Sequence, residues 1–94
     1  MKLPKNLRPK EIFSRMFWDP AEDRRNYEVT FIHRGVSKDR KSIPCSAIVK
    51  FGRSWFVYSS EEGEILIPYH RILEIKDLRD GTVLWRKLGP SSRG

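Results

Sequence analysis

One cysteine and two histidines are all that this 94-residue chain offers to disulfide or soft-metal chemistry. A lone thiol, Cys45, cannot close an internal disulfide, and one Cys with two distant His falls short of the ligand set a structural zinc takes. No metal and no cofactor are expected. Long apolar runs are missing too, and the opening "MKLPKNLRPK" carries charge where a secretion signal has its apolar segment. These absences point to a cytoplasmic protein with no membrane partner. Acidic residues are the other shortage: twelve Asp and Glu stand against nineteen Lys and Arg, for a formal charge of +7. Such a surplus favours anionic partners, nucleic acid ahead of an acidic membrane surface, with plain solubility as the simpler account.

What is present suffices for one small domain. Hydrophobic residues make up 38% of the chain, and five Phe, three Tyr and three Trp supply bulk for a core. Residues 1–8 read as a flexible basic arm and 89–94 ("GPSSRG") as a flexible tail, which leaves 9–88 as a single domain. Pro9 opens a helix in which Ile12, Phe13, Met16 and Phe17 form one stripe, and Asp19-Pro20 closes it. "YEVTFIHR" alternates as a strand, and "GVSKDRKS" reads as a charged loop. Two hairpins follow, "SWFVYSS" with "EILIPY" around Glu61-Glu62-Gly63, then "ILEIKDL" with "TVLWRKL" around Asp80-Gly81. The expected fold is α+β, an N-terminal helix on a strongly curved, mostly antiparallel, small barrel-like sheet.

Residues 43–48 read "IPCSAI" and residues 67–72 read "IPYHRI". In each, Ile-Pro ends a strand, because proline donates no ladder hydrogen bond, and the last Ile opens the next apolar segment. Ile43, Ile48, Ile67 and Ile72 are therefore expected in the core, with the prolines setting corners. This architecture accounts for Ile, Pro and Ile, but not for Tyr69, His70 and Arg71. Arginine offers a phosphate a bidentate fork, and histidine can donate a hydrogen bond or move a proton. The plainer alternative has His70 bonding a neighbouring carbonyl and Arg71 pairing with Glu74 at the surface.

"IPYHRILEI" and "GTVLWRK", with "RPKEIFSRMFWDP" and "YEVTFIHRG" upstream, resemble the RNA cyclic-group-end recognition domain, a family of small, mostly archaeal proteins that also occurs as a module in larger eukaryotic ones. The resemblance implies binding of RNA termini that carry a 2′,3′-cyclic phosphate or a related terminal phosphate, accessory to RNA end processing or repair. RNA-end-processing enzymes are the further partners it implies. It makes His70 and Arg71 the distinctive polar pair, places Tyr69 beside them, and matches Arg34 to a basic residue at the end of the first strand. Family members often have Asp-Arg where this chain has His33-Arg34, so any role for that acid is in doubt here. Trp18-Asp19 also fits; core packing is expected of Trp18 in preference to base stacking, and Asp19 is expected to organise the turn before Pro20.

Reading an RNA end takes a few charge-assisted donors and a surface for the upstream backbone. Tyr69, His70, Arg71 and Arg34 are the candidate phosphate-binding residues, with His33, Lys38, Arg40 and Lys41 as secondary candidates. Catalysis would call on His33 and His70 as general base and acid, yet nothing in the sequence brings them to one substrate, and no carboxylate cluster is spaced for a metal. A non-catalytic RNA binder is the leading expectation. A phosphodiesterase or phosphatase on the same ends, a general basic nucleic-acid binder and a protein adaptor are the alternatives. An adaptor would need an exposed apolar patch, which so charged a sequence does not advertise. Oligomeric state is not set by any of these features.

Overall fold

The computed structural model describes residues 7–32 and 40–87. Helix α1 spans Pro9–Trp18, with proline in its first turn and the Glu11 carboxylate accepting from the Arg8 N–H at 2.9 Å. It ends where Asp19, preceding Pro20, turns extended at φ −88°, ψ 109°. The Asp19 carboxylate then accepts from the Ala21 N–H at 2.9 Å, which is the expected turn-organising role.

Seven strands follow among the described residues: β1 (Tyr27–Ile32), β2 (Arg40–Pro44), β3 (Ile48–Phe51), β4 (Trp55–Ser60), β5 (Gly63–Pro68), β6 (Ile72–Asp77) and β7 (Val83–Arg86). They form two antiparallel sheets, ordered β2-β1-β6-β7 and β3-β4-β5. The β4–β5 and β6–β7 hairpins fall where the turn chemistry placed them, and Gly63 (φ 109°) and Gly81 (φ 78°) take conformations that side chains disfavour. The expected charged loop gives up its last residues: Arg40, Lys41 and Ser42 belong to β2, where Ser42 and Thr30 share a hydroxyl hydrogen bond at 2.7 Å. Pairing with β1 overrides the polar composition.

Neither sheet closes into a barrel, and the two Ile-Pro segments show why. Pro44 ends β2 and Pro68 ends β5, each an edge strand, where a missing N–H stops the ladder from continuing. A 3-10 turn then carries the chain to the other sheet, Cys45–Ala47 from β2 to β3 and Tyr69–Arg71 from β5 to β6. The two corners are conformational copies: Pro44 has φ −68°, ψ 145° and Pro68 φ −68°, ψ 148°. Each closes with the same bond, Ile48 N–H to the Cys45 carbonyl and Ile72 N–H to the Tyr69 carbonyl.

The four isoleucines of the repeat are buried in the core between the sheets. Phe31 of β1 meets Phe56 and Tyr58 of β4 with ring centroids 5.7 and 5.5 Å apart. Helix α1 inserts Phe13 at the open side, 5.5 Å from the Phe56 ring and 5.9 Å from the Tyr69 ring. Each fully buried side chain of this size contributes about 1.5–3 kcal/mol. Arg24 clasps the helix to the first corner: its guanidinium lies 4.1 Å from the Phe17 ring centroid and donates to the Ile48 carbonyl at 2.8 Å. Trp18 breaks with expectation. It is 79% exposed rather than packed on the sheet, because it projects from the side of α1 opposite the Ile12, Phe13 and Met16 stripe.

Candidate nucleic-acid interface

The second corner is held from behind by Tyr69. Its backbone N–H donates to the Ser54 carbonyl at 2.9 Å and its hydroxyl to the Gly52 carbonyl at 2.7 Å. Burial pushes the phenol up to about 12, so it stays a neutral donor. A glycine is needed in this turn for another neighbour, since a Cβ at Gly52 would lie 2.5 Å from the Trp55 ring. Tyr69 is thus committed to the β3–β4 turn and to Phe13, and it fixes the backbone that presents the next two residues.

His70 is exposed and Arg71 partly so. Among the described residues, neither side chain has a hydrogen-bond or ion-pair partner. The carboxylate three residues on, Glu74, pairs instead with Arg86 across the β6–β7 ladder at 2.8 Å. Nor does the His70 ring bond a neighbouring carbonyl. Its own carbonyl is the acceptor, taking the Lys87 Nζ at 2.5 Å, while the Lys87 N–H donates to the Leu73 carbonyl at 2.9 Å.

Strand register gathers further cations at this end of the four-stranded sheet. Phe31 faces Ile72 and Ile32 faces Arg40, so Arg71 and Arg40 flank the end of β1 from opposite sides. Two strand spacings put their backbones roughly 10 Å apart. Lys87, just past β7, extends the row. Arg40, Arg71, His70 and Lys87 therefore share one sheet end, with no carboxylate paired to any of them among the described residues. Lys41 alternates to the other face, where it lines a groove with Tyr58, Ser60, Glu61 and Glu62. His33, Arg34 and Lys38 lie outside the described residues. Two cations escaped the sequence reading: Lys87, and Arg53, which is exposed on the turn that holds Tyr69. Lys87 bonds the corner directly, and Arg53 lies between Gly52 and Ser54, the residues whose carbonyls Tyr69 bonds. Both therefore come to it across a wide sequence separation, although Lys87 ends the "GTVLWRK" segment and its register was open to reading.

Other polar groups belong to the fold. The Cys45 thiol is fully buried and pushed up to about 12, which denies it thiolate chemistry. No trio of His, Cys, Asp or Glu among the described residues is arranged to hold a metal ion. No described helix is long and apolar enough to cross a membrane.

Fold and site together define a small α+β domain with a cationic end that no carboxylate among the described residues pairs, in which a corner repeated in backbone but not in side chains presents His70 and Arg71. The chain belongs to the MJ1316 RNA cyclic group end recognition domain family, whose model matches residues 7–87. It is 37% identical over 79 residues to a UPF0248 protein of Methanococcus vannielii, covering 84% of this chain and 90% of that one. A UPF0248 protein of Methanocaldococcus jannaschii is 35% identical over 78 residues, covering 83% and 91% of the two chains. One from Thermococcus onnurineus is 37% identical over 76 residues, covering 81% and 80%. No solved structure matches the chain.

Proposed function

We propose that the protein binds RNA termini bearing a 2′,3′-cyclic phosphate or a related terminal phosphate at this cationic sheet end, and does so without turning them over. The observation that carries the reading is that His70 and Arg71 stand side by side on a corner held by Tyr69 and Lys87, with their donors unspent among the described residues. Arg71 supplies a fork for two phosphate oxygens, and His70 a ring N–H. Lys87 brings its ammonium group to the same corner through the bond to the His70 carbonyl, with donors left over among the described residues. Arg40, on the far side of β1, suits the upstream backbone, as would Arg34 beyond the end of β1. Tyr69 serves as the buttress. The family description supports the ligand class, and the net charge of +7 supports a polyanion.

The test is a binding titration at fixed salt with one short RNA ending in a cyclic phosphate, an open phosphate or a hydroxyl. Wild type is expected to prefer the phosphorylated ends, and His70→Ala and Arg71→Ala to lose that preference. Equal, salt-sensitive binding to all three forms would reduce the protein to a general basic RNA binder. Hydrolysis of the cyclic end by metal-free protein, abolished in His70→Ala, would make it a phosphodiesterase instead.

A further inference from the structure

The outer face of the three-stranded sheet carries no packed element among the described residues. Along β4, Phe56 and Tyr58 point into the core, so Trp55, Val57 and Ser59 point away from it. On β5, Ile65 and Ile67 face inward, which leaves Glu64, Leu66 and Pro68 on the same outer side. Register sets Trp55 beside Pro68, Val57 beside Leu66 and, on the other flank, Val57 beside Lys50. Leu66 is 53% exposed, Val49 of β3 is 43% exposed, and Val57 is buried yet outside the core cluster. An apolar strip rimmed by charge, on a sheet face that no described element covers, marks an interaction surface.

The charges on its two edges select the occupant. On this face β3 carries Lys50 and β5 carries Glu64, and neither has an ion-pair partner among the described residues. A two-fold axis along β4 lays β3 of one molecule over β5 of the other. Lys50 then lies level with the partner's Leu66, and the partner's Glu64 stands two residues, about 7 Å, further along its strand. A lysine and a glutamate side chain bridge that span together. The contact occurs twice, while Trp55 and Val57 meet their own copies. Most of the surface repels a second copy, since the chain is strongly basic, but this face is balanced and self-complementary. We infer that it is a homodimer interface. One face of three short strands is smaller than the roughly 800 Å² per partner of stable complexes, so the association is weak and concentration-dependent. The inference does not rest on RNA binding.

Sedimentation of the full chain without RNA, from about 10 µM to about 1 mM, tests it. Wild type is expected to pass from monomer to dimer across that range. Leu66→Glu weakens the dimer by at least about tenfold, as do Lys50→Glu and Glu64→Lys singly, and the double charge reversal restores it. All three positions are exposed, so the variants fold, which circular dichroism checks. A wild type that stays monomeric throughout, a dimer indifferent to Leu66→Glu, or a double reversal that fails to rescue would overturn the interface. Chemical shifts at the Leu66 methyls that move with RNA and not with protein concentration would give the face to nucleic acid instead.

Discussion

The Glu74 carboxylate accepts from the Arg86 guanidinium at 2.8 Å, and that pairing leaves Arg71 without the partner its sequence spacing offers. Glu74 and Arg86 face each other in the β6–β7 register, whereas Arg71 sits in the turn before β6 begins. The free charge should show in the salt dependence of RNA binding. Every phosphate that a cation ceases to neutralise lowers the slope of log K against log salt by about 0.7 for a single strand. Arg71→Ala is expected to lower the slope by about that amount. Arg25→Ala, which removes a cation already held by Asp23 at 2.8 Å, should leave it unchanged. Titrations at four or five salt concentrations decide the matter, and equal slopes for both variants would detach Arg71 from the phosphate.

Tyr69 allows stability to be separated from binding. Tyr69→Phe keeps the ring against Phe13 and removes the hydroxyl bond to Gly52. A partly buried bond of this kind is worth about 1 kcal/mol, or a fall of roughly 4–8 °C in Tm for a domain this small. If Tyr69 is a buttress, the affinity of the folded variant for RNA stays within about twofold of wild type, since only the corner's support has been thinned. Calorimetry and titration on one sample give both readings. A large affinity loss with no change in Tm would put the phenol on the ligand.

Much of this arrangement was legible in the chain because the signals were local. Pro9 and Asp19-Pro20 bracket α1 through constraints on one or two residues, and Ile-Pro marks the same corner twice by the same chemistry. The division into two sheets was not legible, since where a ladder stops depends on which strands become edges, a property of the whole topology. The cationic end was half legible. His70 and Arg71 are adjacent in sequence, but Arg40 and Lys87 join them only through register across β1 and β7. Trp18 could have been placed from the helical period alone, because it lies opposite the stripe that identified the helix.

That placement of Trp18 has a spectroscopic consequence. Three tryptophans are present, and Trp55 and Trp85 are partly buried where Trp18 is 79% exposed. Trp18→Phe is expected to remove the red-most emission and most of the fraction open to acrylamide quenching. An exposed site of this sort changes stability by less than about 0.5 kcal/mol. A clear drop in Tm would mean that the indole is covered in solution, as core packing would require.

The sharpest pH effect belongs to Asp77. It is fully buried, and Arg79 reaches it from the backbone N–H at 2.9 Å, from Nε at 3.0 Å and from Nη2 at 2.9 Å. Those bonds hold its carboxyl below the ordinary carboxylate range. Arg79 also donates to the Tyr27 hydroxyl at 2.9 Å, and that hydroxyl donates to Glu22 at 2.5 Å, so the ion pair is stitched into the start of β1. A depressed folded value adds stability that is complete above the unfolded value near pH 4 and drains away as pH falls through the folded one. Stability should therefore be level from about pH 5 to 8 and decline in acid. Asp77→Asn is expected to cost about 1.5–3 kcal/mol at pH 7, and its deficit against wild type should shrink as pH drops below 4, because protonation removes the same charge. Asp23, held near 2 by its bond to Arg25, titrates in both proteins and cancels in the difference. Denaturant melts at pH 7, 4 and about 2.5 measure that difference, and a deficit of constant size would show that the buried carboxyl carries no charge to lose.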